Sequence, residues 1–246
     1  MGVKMILAGT AALLLAGCST VTEFNYPPAF PRLVRAEPGL ATGKSVAVEP
    51  FQDFRGKAND ISPAYLYLIP LCPFGYIEYE RPEHGEWFPS VDGFQFEPSA
   101  ELARAAAVSL KHSGLFRQVS RADEKTAVAA DYILRGGVIS TYYKGRLFSY
   151  GLSFEGPWLW LIGLPAGTSL NRLSVCLWLV ERQTGRTVWT YAFEGQDYIS
   201  QGLYFRYGRD TSMYSVLMAE SMNCAVMSLE EFFAGQRKAA GSAGKR

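Results

Sequence analysis

Residues able to do chemistry are thinly spread along the 246 residues of this chain, and Cys18 is the one whose neighbours point to a defined fate. It closes the run Leu15-Ala16-Gly17-Cys18, in which small residues precede a processing point between Gly17 and Cys18 and leave a thiol beside it. Other stretches fail on spacing. Gly39-Leu40-Ala41-Thr42-Gly43-Lys44-Ser45 approximates a phosphate-binding loop but is one residue short, and it precedes a strand where such a loop follows one. Gly151-Leu152-Ser153-Phe154-Glu155-Gly156 misses the nucleophile-elbow spacing, and the histidines, His84 and His112, lie in unrelated segments, so a Ser-His-acid site is not expected. Glu78, Glu80, Glu83, His84 and Glu86 crowd one stretch whose carboxylates could hold a hard cation. Without the glycine and aspartate spacing of a calcium loop, a solvated polar rim is the expectation. Cys72, Cys176 and Cys224 show no C-x-x-C spacing, which argues against zinc and thioredoxin-like chemistry. Free, buried thiols are expected, with a Cys72 to Cys224 bridge as the alternative. Neither a catalytic residue, a metal nor a cofactor is nominated.

The segment before Cys18 has the order of an export signal: Lys4, an apolar stretch from Met5 to Leu15, then small residues. It is too short to span a bilayer, which takes about 20 apolar residues. The stretch resembles lipoprotein signal sequences, and that resemblance implies removal of residues 1–17, diacylation of the Cys18 thiol and acylation of the new amino group. Several acyl chains make such an anchor stable, since each buried methylene contributes about 0.8 kcal/mol. Ser19, in place of Asp, implies passage to the outer membrane. The expected location is the cell envelope, lipid-anchored on the periplasmic face of the outer membrane.

With 24 basic and 23 acidic residues, the charge balance sets up no field that would draw nucleic acid or acidic substrates. Aromatic content of 14% and 24 glycines suit a sheet-rich protein with tight loops. Residues 18–43, with Pro27, Pro28, Pro31 and Pro38, read as a flexible tether. A single domain is expected over 44–235, followed by a disordered basic tail at 236–246. Ser45 to Phe51 reads as a strand, and Pro98-Ser99 opens a helix to Ser113 with Leu102, Ala106 and Leu110 at helical spacing and Gly114 as its stop. Leu115 to Val119 and Asp131 to Tyr143 supply further strands. Leu173, Val175, Leu177 and Leu179 alternate before a turn near Gln183-Thr184-Gly185-Arg186, and Val188 to Phe193 returns as the second arm of a hairpin. Ser212 is expected to cap a last helix whose stripe is Tyr214, Leu217, Met218, Ala225, Leu229 and Phe232, closed by Gly235. The fold class is therefore α/β (α+β): a mixed sheet with two main packing helices in β-α-β-β-β-α order.

Val46-Ala47-Val48-Glu49-Pro50-Phe51 with Asp53 and Arg55, then Ser113-Gly114-Leu115-Phe116, then Ala130-Asp131-Tyr132-Ile133-Leu134-Arg135-Gly136, are similar to the opening strand, helix-to-strand turn and following strand of a family of periplasmic lipoprotein domains. That group includes the curli secretion channel subunit and the amino-terminal domain of the Tol system's propeller protein. The resemblance implies a fold and an envelope role and carries over no catalytic residue. Two insertions depart from the curli channel pattern.

These insertions, near 64–79 and 154–167, are unusually apolar for connections and supply the candidate interaction surface: Tyr67, Phe74, Tyr76, Trp158 and Trp160. An apolar connection must cover the core, meet a partner or another copy, or touch lipid. Tryptophan suits membrane interfaces. Continuous apolarity and prolines fit a transmembrane β-hairpin poorly. The expected function is a non-enzymatic envelope lipoprotein that binds or scaffolds another envelope protein or itself, through these loops or an exposed sheet edge. An envelope enzyme with a dispersed site, and an oligomeric secretion accessory, are the alternatives.

Overall fold

The computed structural model describes residues 22–37, 39–86, 93–122 and 129–243. The signal segment, the Gly17–Cys18 cleavage position and Cys18 itself lie outside them. In chain order the strands and helices are β1 (Thr22–Glu23), β2 (Ser45–Val48), β3 (Gln52–Asp53), β4 (Asn59–Asp60), β5 (Phe74–Tyr79), β6 (Phe94–Gln95), α1 (Pro98–Ser113), β7 (Gln118–Arg121), β8 (Tyr132–Ser140), β9 (Tyr143–Phe148), α2 (Pro157–Leu161), β10 (Gly167–Glu181), β11 (Thr187–Gln201) and α3 (Met213–Ala243). Nine of the described strands form one mixed sheet, while β1 and β6 pair separately.

Strand β10 organises that sheet. Alternation puts Leu173, Val175, Leu177 and Leu179 on one face, each at most 1% exposed. Along one edge β10 pairs antiparallel with β11 over its whole length; along the other it pairs with β9 over Gly167–Asn171 and with β8 over Ser174–Glu181. Strand β2 joins β8 and β7 in parallel, and β9 carries β5 and β4 outward. The expected strand over 131–143 is thus two strands laid end to end along β10, divided at Thr141–Tyr142. A register shift at Ser174/Val175 leaves Ile139 out of the pairing with β10.

Helices α1 and α3 cover the apolar face. Leu102, Ala106 and Leu110 of α1 are fully buried against Val46 and Leu134, and Gly114 ends the helix at φ +70°, a conformation glycine adopts without steric cost. From α3 come Tyr214, Leu217, Met218, Met222, Ala225 and Leu229, each at most 2% exposed. Burying a side chain of Leu size contributes about 1.5–3 kcal/mol, so this two-helix cover supplies the core.

Three expectations need correction. Residues from Thr22 onward are not a flexible tether: β1 pairs with β6, the Phe24 ring lies 5.2 Å from Phe96, and the Val34 N–H donates to Asn223 Oδ1 at 2.9 Å. Proline removes backbone donors and keeps this segment extended, so its remaining amides bond to the two helices, as Ala36 does to the Ser113 carbonyl at 2.9 Å. Gly235 does not close α3, which continues to Ala243; the residues that follow include the good helix formers Gln236, Arg237 and Lys238. Arg237 also donates to the carbonyls of Gly39 and Leu40 at 2.7 and 2.5 Å, fixing the supposed tail against the supposed tether. Ser212 precedes α3, but its hydroxyl donates to the Arg209 carbonyl at 2.7 Å.

Candidate docking surface

The sheet brings the two apolar insertions to one end of the molecule. Strands β5 and β9 are antiparallel with Phe74 opposite Phe148, so the connection entering β5 and the one leaving β9 emerge side by side. A 3-10 turn over Ser62–Leu68 folds back onto β5 at Gly75, where a Cβ would stand 2.5 Å from the Ala64 carbonyl oxygen. Only glycine permits that approach.

Hydrogen bonds then stitch the connections together. The Leu71 N–H donates to the Gly151 carbonyl at 2.9 Å, Ser149 Oγ donates to the Cys72 carbonyl at 2.6 Å, and Ser153 Oγ donates to the Leu68 carbonyl at 2.8 Å. Trp160 Nε1 donates to the Phe148 carbonyl at 3.0 Å while its ring meets Tyr67 at 6.4 Å. A third connection, between β11 and α3, joins them when the Tyr204 hydroxyl donates to the Leu161 carbonyl at 2.7 Å.

With polar groups turned inward, the apolar side chains face out. Leu71 is 90% exposed, Phe154 75%, Ile162 73% and Trp158 65%, with Leu68, Leu161 and Tyr204 also exposed. Residues 61–77 contain no charged side chain, and residues 147–171 contain only Glu155. Arg146 on β9 borders this apolar end, and exposed Arg206 and Arg209 follow Tyr204 in the third connection. Contiguous apolar exposure of this kind marks interaction sites on folded proteins.

Of the five residues expected to form an interaction surface, only Trp158 is exposed there. Tyr67 and Trp160 are half-buried against each other and hold the connections together. Phe74 and Tyr76 lie on β5 rather than in a loop, on the face away from α1 and α3, where their rings receive Arg146 at 5.3 Å and Lys144 at 4.4 Å. The residues that reach furthest, Leu71, Phe154 and Ile162, lie in the same insertions, and Tyr204 lies in a connection that carried no sequence signal beyond its aromatics.

The polar candidates are distributed elsewhere. Glu83 is not part of a solvated rim: it is nearly buried and accepts from Arg55 Nη2 at 2.7 Å and Nη1 at 3.1 Å. Arg55, with 1% of its side chain exposed, also donates to Asp53 at 3.0 Å and to Thr141 Oγ1 at 2.7 Å. The hydrogen bond from Arg55 pulls the Asp53 carboxyl down to about 2. Glu78 pairs with Lys144 at 2.5 Å, and His84 is exposed. Among the described residues no cluster of three or more His, Cys, Asp or Glu has metal-binding geometry. Cys72, Cys176 and Cys224 are free, so the Cys72 to Cys224 bridge is not formed, and Cys224 is exposed on α3.

Asp210 was not singled out from the sequence, yet it has the most unusual environment of the described acids. It is fully buried and accepts from the Tyr143 hydroxyl at 3.3 Å, from Ser169 Oγ and from Gln201 Nε2, while Asn171 Nδ2 donates to its backbone carbonyl at 2.6 Å. Burial pushes its carboxyl up to about 6 against the lowering effect of these bonds. Such shifts occur at catalytic acids, but this group is sealed from solvent, and it anchors the third connection to β10.

No helix among the described residues is long and apolar enough to cross a membrane. No family model matches the chain, and no curated protein does. Solved structures with a similar arrangement include a DUF330 protein of Xanthomonas campestris (12% identity, TM-score 0.39, covering 84% of this chain and 95% of that one). Another is the PelC dodecamer of Paraburkholderia phytofirmans (17%, 0.37, 76% and 91%). A third is a minor lipoprotein of Acinetobacter baumannii (11%, 0.31, 80% and 95%). At these identities and TM-scores the likenesses assign neither family nor function.

Proposed function

We propose that this chain is a non-enzymatic lipoprotein of the cell envelope, held on a membrane through acylated Cys18, that acts as a binding or scaffolding component and docks through its apolar end. The observation that carries the docking is the convergence of the two insertions: hydrogen bonds fix their backbones inward while Leu71, Phe154, Trp158 and Ile162 are presented to solvent. A connection serving only as core cover would bury those side chains. Anchoring at Cys18 keeps the domain close to whatever the apolar end meets, so each encounter loses less translational freedom.

Hydroxyl-radical footprinting tests the docking. Phe154, Trp158 and Ile162 are expected to oxidise readily in the purified chain and to be protected in intact envelopes. Equal oxidation in both settings contradicts the reading. Intact mass of the envelope-extracted protein tests the anchor, with a mature chain beginning at acylated Cys18 expected.

A further inference from the structure

We propose that the occupant of the apolar end is a lipid surface bearing anionic headgroups. This rests on the docking reading above and names its partner. Hydrocarbon penalises unsatisfied backbone polar groups more than any other environment a protein meets, and here many of the amides are already paired. The N–H groups of Leu71 and Cys72 donate to Gly151 and Ile69, those of Leu152, Glu155 and Gly156 to Ser149, Leu152 and Ser153, and those of Gly163 and Leu164 to Trp160 and Leu159. Insertion of Leu71, Phe154, Trp158 and Ile162 to the depth of the headgroup and acyl boundary therefore removes apolar side chains from water without stranding those donors. Trp158, Tyr65 and Tyr204, all exposed, suit the interfacial layer.

Charge selects the lipid. Arg146 is two residues before Phe148, on the same side of β9, and sits opposite Thr168, which in turn is opposite Ser200 on β11. Arg206 and Arg209, both exposed, follow in the connection after β11, which the Tyr204 hydroxyl ties to the Leu161 carbonyl. Among the described residues none of the three arginines makes an ion pair, whereas Lys144 is paired with Glu78. Behind Arg146 an open groove of about 630 Å³ is lined by Tyr142, Lys144, Arg172 and Tyr198; Glu78 pairs with Lys144 at its edge, and Arg146 and Arg172 are the cations there that make no ion pair among the described residues, which leaves room for a phosphate headgroup. Within the two insertions, residues 61–77 and 147–171, Glu155 is the single acidic residue. A second copy docked face to face would bring two Arg146 guanidiniums that make no ion pair to one interface, and their repulsion disfavours that occupant. An anionic leaflet neutralises them.

The chain from Ser19 to Arg246 lacks the acyl anchor but keeps every residue of the main core, which runs from Phe24 to Phe233. It should sediment with vesicles of phosphatidylglycerol and phosphatidylethanolamine and much less with phosphatidylcholine alone. Trp158→Asp should lower partitioning at least tenfold, and Arg146→Gln about fivefold, the effect of one cation near an anionic surface. Both side chains are exposed, and unchanged thermal unfolding checks that the variants are folded. Absence of sedimentation, or sedimentation indifferent to both substitutions, overturns the assignment. So does a concentration-dependent dimer abolished by Trp158→Asp. Footprint protection in envelopes without vesicle binding would remove the lipid and leave the docking reading standing; loss of both would remove both.

Discussion

The Tyr67 and Trp160 rings meet at 6.4 Å and 53° and so join a turn ahead of β5 to a helix after β9. That contact makes one surface out of two connections. Aromatic pairs contribute about 1 kcal/mol beyond the area they bury. Urea unfolding of Tyr67→Ala, Trp160→Ala and the double variant is therefore expected to show a coupling of about that size. Additive losses would mean that the rings do not act together.

The buried carboxyl of Asp210 makes stability depend on pH in a definite direction. In the folded chain it titrates near 6, and in the unfolded chain at about 3.9. Between those values the folded state holds a proton that the unfolded state has lost. Its contribution is therefore fully present below about pH 4, falls as pH rises to about 6 and is constant beyond, a change on the order of 3 kcal/mol. Subtracting the stability curve of Asp210→Asn from that of the wild type should isolate this limb. A difference that grows with pH across the window contradicts the assignment.

Arg55 is the opposite case, a buried cation held by two carboxylates. Replacement with Met leaves the nearly buried Glu83 without its guanidinium and Asp53 with Arg81 alone, at 3.1 Å, and is expected to cost about 3–5 kcal/mol. The depressed titration of Asp53 stabilises the fold above the ordinary carboxylate range, and that contribution is lost as pH falls toward about 2. Acid unfolding of Arg55→Met compared with the wild type should show this limb displaced to higher pH. Identical acid limbs would show that Arg55 does not set the Asp53 titration.

Thiol chemistry separates the three described cysteines. Gel mobility should be the same with and without reductant. A maleimide should label exposed Cys224 in the folded chain faster than Cys176, whose thiol burial pushes up. A reductant-dependent shift in mobility would restore the bridge.

What could be read from residues alone follows from how local each signal is. Helix α1 was legible because Leu102, Ala106 and Leu110 repeat on one face between Pro98 and Gly114, and the hairpin because Leu173 to Leu179 alternate. Both patterns are written by nearest neighbours. The strapping of residues 22–37 was not legible, because proline reads as an extended chain whether it is free in solution or laid on α1 and α3. Nor was the continuation of α3, since Gly235 stops a helix only when it turns left-handed, and here it does not. At the apolar end the insertions stood out by composition, yet which side chains face outward depends on the pairing of Phe74 with Phe148, far apart in the chain. Tyr67 and Trp160 look identical in composition to Leu71 and Trp158; only tertiary placement separates fastener from surface. Asp210 gave no signal at all, because its partners come from β9, β10 and β11.

The most direct measurement is photo-crosslinking in intact cells from a photoreactive residue at position 158, compared with one at position 139, where Ile139 is also exposed but lies on the sheet. A light-dependent adduct is expected from position 158 and little from position 139. No adduct from position 158, or equal capture at both, would contradict the claim that the apolar end is the docking surface.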